Sequence, residues 1–177
     1  TVSGHSKGAL TAIRQISEMQ VDIPMLAMTH CDASKLAKQH GKKAEYALCA
    51  AQWHKSLSYK DKYFGNGMKY DKDFNAEYGY TPPYQAAESS AALLVWKDAF
   101  ERANSTDTEK VRDALAKTDM QTFYGNIKFG SGGQNTAKPM VLFQVICDGD
   151  KCENKVVAPT KWASAKLVHP VPKWSER

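Results

Sequence analysis

The 177-residue chain is 42% hydrophobic and 24% charged, a globular composition with enough length to build a core. Its formal net charge of +5 is scattered, and the densest cluster (Lys55, Lys60, Lys62, Lys69, Lys72) alternates with tyrosines and aspartates. That is a solvated surface rather than a nucleic-acid-binding stripe, and no apolar run is long enough to span a bilayer.

Thr1-Val2-Ser3 reads as a strand met in mid-stride, with no initiator methionine or signal peptide ahead of it, so a piece of a longer chain is expected. Apolar positions at Leu10, Ile13, Ile16 and Met19 give residues 6–20 a helical period. Residues 24–29 form a short apolar run suited to a strand covered on both faces. Asp32 is placed as the cap of a short helix ending at Gly41, and residues 45–53 as the next strand. Strand, helix, strand, helix, strand is the beginning of a doubly wound α/β fold.

The character changes at Trp53. Residues 54–80 are polar and rich in tyrosines and turns; one short helix is expected near 71–78, and the tyrosines between 59 and 80 are expected at the surface. Pro82-Pro83 opens the longest helix, 83–103, which is apolar almost all round from Ala91 to Trp96 and is expected to be deeply buried. Tyr84 begins that helix and is read as packing. Thr106-Asp107-Thr108-Glu109 is a capping box for a further helix through Leu115. Residues 122–129 read as a strand and 130–135 as a tight loop. Residues 140–146 and 155–157 form a hairpin, and 169–174 an extended tail.

Four cysteines accompany these elements. With Gly149-Asp150 as a two-residue turn, Asp148 faces Lys151 and Cys147 faces Cys152, close enough for a disulfide. Cys31 and Cys49 fall near the ends of successive predicted strands and can also pair; the alternative is buried free thiols, especially at Cys49. The spacings fit no zinc pattern, so neither metal nor cofactor is expected. The even count with one sensible pair points to an oxidising compartment.

Gly4-His5-Ser6-Lys7-Gly8 admits two readings. As G-x-S-x-G it is the nucleophile elbow of an α/β-hydrolase, with Ser6 attacking an ester. Asp32 and His40, however, share one short predicted helix, and the only late histidine, His169, sits in a proline-flanked tail. The second reading makes these residues the loop at the carboxyl end of a strand, where open α/β sheets meet ligands.

Several segments carry a resemblance in order: Ile13-Arg14-Gln15-Ile16, Gln52-Trp53, Lys62-Tyr63-Phe64-Gly65, and Tyr78-Gly79-Tyr80-Thr81-Pro82-Pro83-Tyr84-Gln85-Ala86-Ala87. Val111-Arg112-Asp113-Ala114-Leu115, Thr122-Phe123-Tyr124-Gly125-Asn126-Ile127-Lys128-Phe129, Gly133-Gln134-Asn135, Gln144-Val145 and Val157-Ala158-Pro159 follow, before the ending Pro170-Val171-Pro172-Lys173-Trp174-Ser175-Glu176-Arg177. This run resembles the C-terminal half of a type I periplasmic solute-binding protein of the branched-chain amino acid and amide group served by ABC importers. The resemblance implies two α/β lobes, each incomplete here: residues 1–52 in the second lobe, 53–138 in the first, and 139–177 returning to the second with the C-terminal tail. It implies a non-enzymatic, periplasmic or otherwise extracytoplasmic protein that captures a small polar solute by hinged closure and presents it to a membrane permease. The sensing ectodomain of a receptor has the same fold and is the alternative binder.

Ligand contacts implied by the resemblance are Ser3, Gly4, His5 and Ser6 after the first strand and Thr29 and His30 after the second. The family's aromatic and acidic contacts on this lobe would fall near His5 and Thr29, where this chain has neither. His5 and His30 can instead hydrogen-bond a carboxylate or polar ring. Trp53 is placed either stacking on the ligand or filling the hinge. Incomplete lobes would leave sheet uncovered, so a complementary chain or self-association is expected to cover it.

Overall fold

The computed structural model describes residues 1–29 and 39–177. In chain order its helices are α1 (Ser6–Glu18), α2 (Gly67–Tyr78), α3 (Tyr84–Ala103) and α4 (Thr108–Ala116). The strands are β1 (Ala27–Met28), β2 (Leu48–Ala51), β3 (Lys60–Asp61), β4 (Gly65–Asn66), β5 (Asp119–Gln121), β6 (Asn126–Lys128), β7 (Val141–Asp148) and β8 (Lys151–Ala158). They fall into two compact units: unit 1, Thr1–Gln52 with Met140–Arg177, and unit 2, Trp53–Pro139.

Unit 1 is built on one sheet in the order β1–β2–β7–β8, parallel between β1 and β2 and antiparallel thereafter. The strand expected at residues 1–3 is reduced to a single parallel bridge from Val2 to Met28, and the one expected at 24–29 to two residues. α1 buries Ala9 and Ile13, one turn apart on one face. The helix expected from Asp32 lies outside the described residues except for residues 39–40, after which Gly41 turns the chain at φ +50°.

The long hairpin has the register that its turn chemistry requires: Asp148 opposite Lys151 and Cys147 opposite Cys152, closed by a disulfide with Cα atoms 4.0 Å apart. Cys49 is also disulfide-bonded, which overturns its reading as a free thiol; Cys31 lies outside the described residues. Gln144, with no exposed surface, donates from Nε2 to the carbonyls of Tyr46 and Val168 and accepts the Val168 N–H, each at 2.9–3.0 Å. It thereby binds the tail to the middle of β7. Farther along, the Trp174 N–H donates to Asp22 Oδ1 and the Trp174 indole N–H to the Val21 carbonyl, and the tail expected to be extended ends in a 3₁₀ turn over Trp174–Glu176.

Unit 2 has only two-residue and three-residue ladders, β3–β4 and β5–β6, and is organised around rings. Phe123, fully buried, stacks on Tyr70 at 4.3 Å, and Trp53 and Phe64 pack edge-on or tilted against the same pair. Tyr70 is therefore core, correcting its expected place at the surface; Tyr63, Tyr78 and Tyr80 are exposed. Asp61 fixes the approach to this cluster. Its Oδ1 accepts the Tyr63 and Phe64 N–H groups, and its Oδ2 accepts the Phe123 N–H at 2.6 Å. Gly67 is needed where α2 begins, because a Cβ there would meet the Lys55 carbonyl oxygen at 2.5 Å.

Three further expectations are corrected in unit 2. α3 buries Ala87, Ala91, Leu94, Val95 and Ala99, but Leu93, Trp96 and Phe100 face outward, with Leu93 65% exposed. The cap of α4 is Asp107, whose Oδ1 accepts the Lys110 N–H, one residue later than the expected box; Ser105 Oγ accepts the Asp107 N–H instead. Residues 122–129 are not one strand. Thr122 N–H and Oγ–H both donate to the Gly125 carbonyl, and the Gly125 N–H returns to the Thr122 carbonyl. This closes a tight turn ahead of β6.

Candidate functional site

The strand-end loops of unit 1 are brought together by the pairing of their strands. Val2 N–H donates to the Ala27 carbonyl at 2.8 Å and Thr29 N–H to the Val2 carbonyl at 3.1 Å, so the chain leaves both strands side by side. One step beyond, Gly4 N–H donates to Thr29 Oγ1 at 3.0 Å, and the Thr29 hydroxyl donates to the Gly4 carbonyl at 3.2 Å. Ser3, Gly4, His5 and Ser6 thus share one edge with Thr29. His30 lies outside the described residues.

The chemistry of this edge is polar in two senses. A hydroxyl has one proton and two lone pairs; Thr29 spends the proton and one lone pair on Gly4, so toward a solute it can only accept. Beside it α1 begins at Ser6, with no acidic side chain in its first turn, and offers the positive end of the helix dipole. His5 is the N-cap in extended backbone. Its carbonyl accepts the Gly8 and Ala9 N–H groups, and its exposed imidazole makes no capping bond. Neither Gly4 nor Gly8 adopts a left-handed backbone, so backbone conformation does not require a glycine at either position. Among the described residues, nothing lies within 4 Å of a Cβ placed at either.

The same geometry removes the support for an esterase. Ser6 is the first residue of a regular helix, without the positive φ that marks strain in this chain at Gln20, Tyr46 and Asn104. His40 has its pKa lowered, first by burial and then by the cations of Lys43 and Arg14; Asp32, the acid that would orient it in a triad, lies outside the described residues. Among the described residues no group of histidine, cysteine and carboxylate side chains is placed to hold a metal ion.

Trp53 belongs to unit 2, where it is 4% exposed, edge-on to Tyr70 and Phe123, and donates from Nε1 to the Phe123 carbonyl at 3.4 Å. Its surroundings there are those of a packing residue. Residue-by-residue reading overlooked Lys138. Its ammonium lies 4.3 Å from the Tyr124 ring centroid, and its burial holds its pKa down at about 8 against the pull of Glu88. The one sequence signal was Gly125, whose missing side chain makes room for the lysine stem. Cavities of about 330 and 490 Å³ lie against α3 and beside the tail, and neither is lined by the strand-end loops.

A family model described as periplasmic binding protein matches residues 2–151. Among solved structures, a leucine-binding protein from Thermotoga maritima is 21% identical, with a TM-score of 0.69 over 90% of this chain and 44% of its own. The leucine-, isoleucine-, valine-, threonine- and alanine-binding protein of Brucella ovis, in a closed conformation, is 14% identical, with a TM-score of 0.72 over 96% of this chain and 45% of its own. A branched-chain amino acid transporter substrate-binding protein from Streptococcus pneumoniae, in complex with isoleucine, is 16% identical, with a TM-score of 0.69 over 89% and 44%. The chain therefore spans less than half the length of these structures, and at such identities the likeness is one of fold.

Proposed function

The chain belongs to the periplasmic binding protein family, and from that membership we propose that it is part of the extracytoplasmic substrate-binding component of an importer, capturing a small polar solute by closure of two lobes. Unit 1 corresponds in this reading to the second lobe and unit 2 to the first. It is a binder and not an enzyme: closure is driven by the greater affinity of the closed form for the solute, and the closed form is what a membrane permease would recognise.

The observation that carries the reading is the Thr29–Gly4 clasp at the start of α1. It supports a solute with both an anionic and a donor group. The helix start and the His5 imidazole suit a carboxylate or amide oxygen, and the remaining Thr29 lone pair suits an ammonium or amide N–H. Because Thr29 is a neutral acceptor, it attracts an ammonium less than a carboxylate would, so amides and small organic acids stand beside amino acids as candidates.

Calorimetry with a panel of amino acids, their amides and small carboxylic acids tests this. One class should bind saturably, and His5→Ala should weaken it about tenfold, the equivalent of ~1.4 kcal/mol. A panel without a binder, or a binder indifferent to both His5→Ala and Thr29→Val, would overturn the assignment of the site.

A further inference from the structure

The two connections between the units meet unit 2 at a single turn. On the first, Trp53 is the opening residue of unit 2, and it is fixed at once: its rings pack on Phe123 and its indole N–H donates to the Phe123 carbonyl. On the second, Lys138 stands one residue before the end of unit 2 at Pro139, and its ammonium sits 4.3 Å over the ring of Tyr124, well inside the range of a cation–π contact. The stem of Lys138 fills the space where a side chain on residue 125 would be; a Cβ there would overlap its Cδ, and Gly125 also holds φ at +154°. Phe123, Tyr124 and Gly125 are consecutive.

That turn is firmly held within unit 2. Thr122 and Phe123 have no exposed surface. The Thr122–Gly125 hydrogen bonds close it from within, and Asp61 holds the Phe123 N–H from outside. Beyond Lys138 comes a proline, which fixes its own φ and keeps the residue before it extended. The chain is stiff up to the boundary on this side.

We propose that the turn Thr122–Gly125 is a common anchor for both connections, which confines reorientation of the units to the backbone at Gln52–Trp53 and at Pro139–Met140. Lys138 is then a positioning residue acting through Tyr124, and Gly125 is a glycine because the anchor needs its space. The value of this device for closure rests on the binding reading above: a clamp with both straps fixed on one block has few orientations to lose when solute arrives. The anchoring itself does not depend on any solute.

Pulsed electron paramagnetic resonance tests it without ligand. Nitroxides on Glu18→Cys in unit 1 and Lys110→Cys in unit 2, both exposed positions, report the spread of distances between the units. Gly125→Ala and Lys138→Ala should at least double the width of that distribution, while Lys138→Met, which keeps the stem and loses the charge, should recover most of the native width. Native width in Lys138→Ala, with the amides of residues 122–125 still slow to exchange, would overturn the anchor; this variant also carries the test if Gly125→Ala does not fold. A broadened Lys138→Ala in a protein that binds nothing in the solute panel would leave the anchor standing and remove the binding reading.

Discussion

In unit 1 the core is a four-stranded sheet crossed at its centre by a buried amide, Gln144, whereas in unit 2 short ladders surround a cluster of rings centred on Phe123. The first is secured by directional bonds between segments far apart in the chain. The second is secured by apolar area and edge-to-face ring contacts, each ring pair contributing about 0.5–1.5 kcal/mol beyond its burial. A sheet tolerates small changes of side-chain volume but not an orphaned polar group; a ring cluster has the opposite sensitivity.

The sharpest way to break that contrast is to empty the ring cluster. Phe123→Ala should cost unit 2 about 4 kcal/mol, read as accelerated hydrogen exchange across 53–139 with unit 1 largely unchanged. Equal loss in both units would show that their cores are not separate. Next is Gln144→Leu, similar in volume but unable to serve Tyr46 and Val168. A loss of about 3 kcal/mol is expected, confined to unit 1 and accompanied by release of the tail, which fluorescence of Trp174 would report. A neutral substitution would mean that the amide is not what binds tail to sheet.

The third test uses protons. Burial holds Lys138 at about 8, below its ordinary 10.5, so between those values the unfolded chain binds the extra proton and stability rises with pH. Below pH 8 the cost of keeping the buried amine charged is present in full. The native protein should therefore gain on Lys138→Met as pH climbs from about 8 toward 10.5, measured by denaturant titration at several pH values. Parallel curves would mean an amine in ordinary surroundings. The smallest expected effect is in unit 1. Gly8→Ala meets nothing and needs no special backbone, so it should stabilise α1 by about 0.5–1 kcal/mol, visible as a higher melting temperature.

The contrast also explains what could be read in advance. α1 and the cysteine hairpin were legible because their determinants are local: a helical period in one, and turn residues that set a register in the other. The loop of Ser3 to Ser6 and the end at Thr29 were legible as the carboxyl ends of successive strands, but the bond that joins them spans 25 residues, and no local pattern announces it. In unit 2 Tyr70 could not be told from Tyr78 or Tyr80, because what separates them is a distant ring, Phe123. Leu93 and Trp96 misled for a related reason: an apolar residue declares that it can be buried, and its neighbours decide whether it is. Lys138 lay hidden because a lysine before a proline looks like surface until its partner glycine is seen.

The pairing of Leu48 with Gln144 has a kinetic consequence. Everything in unit 2 lies between those two residues, so the sheet of unit 1 can join β2 to β7 only after a long loop has been closed. The entropy of that closure is reduced once the loop has collapsed into a compact body. Unit 2 is one unbroken stretch and also leaves a ribosome before β7 does. Folding should run from the inserted body outward, and pulse-labelled exchange should find the amides around Phe123 protected before those that join β2 to β7.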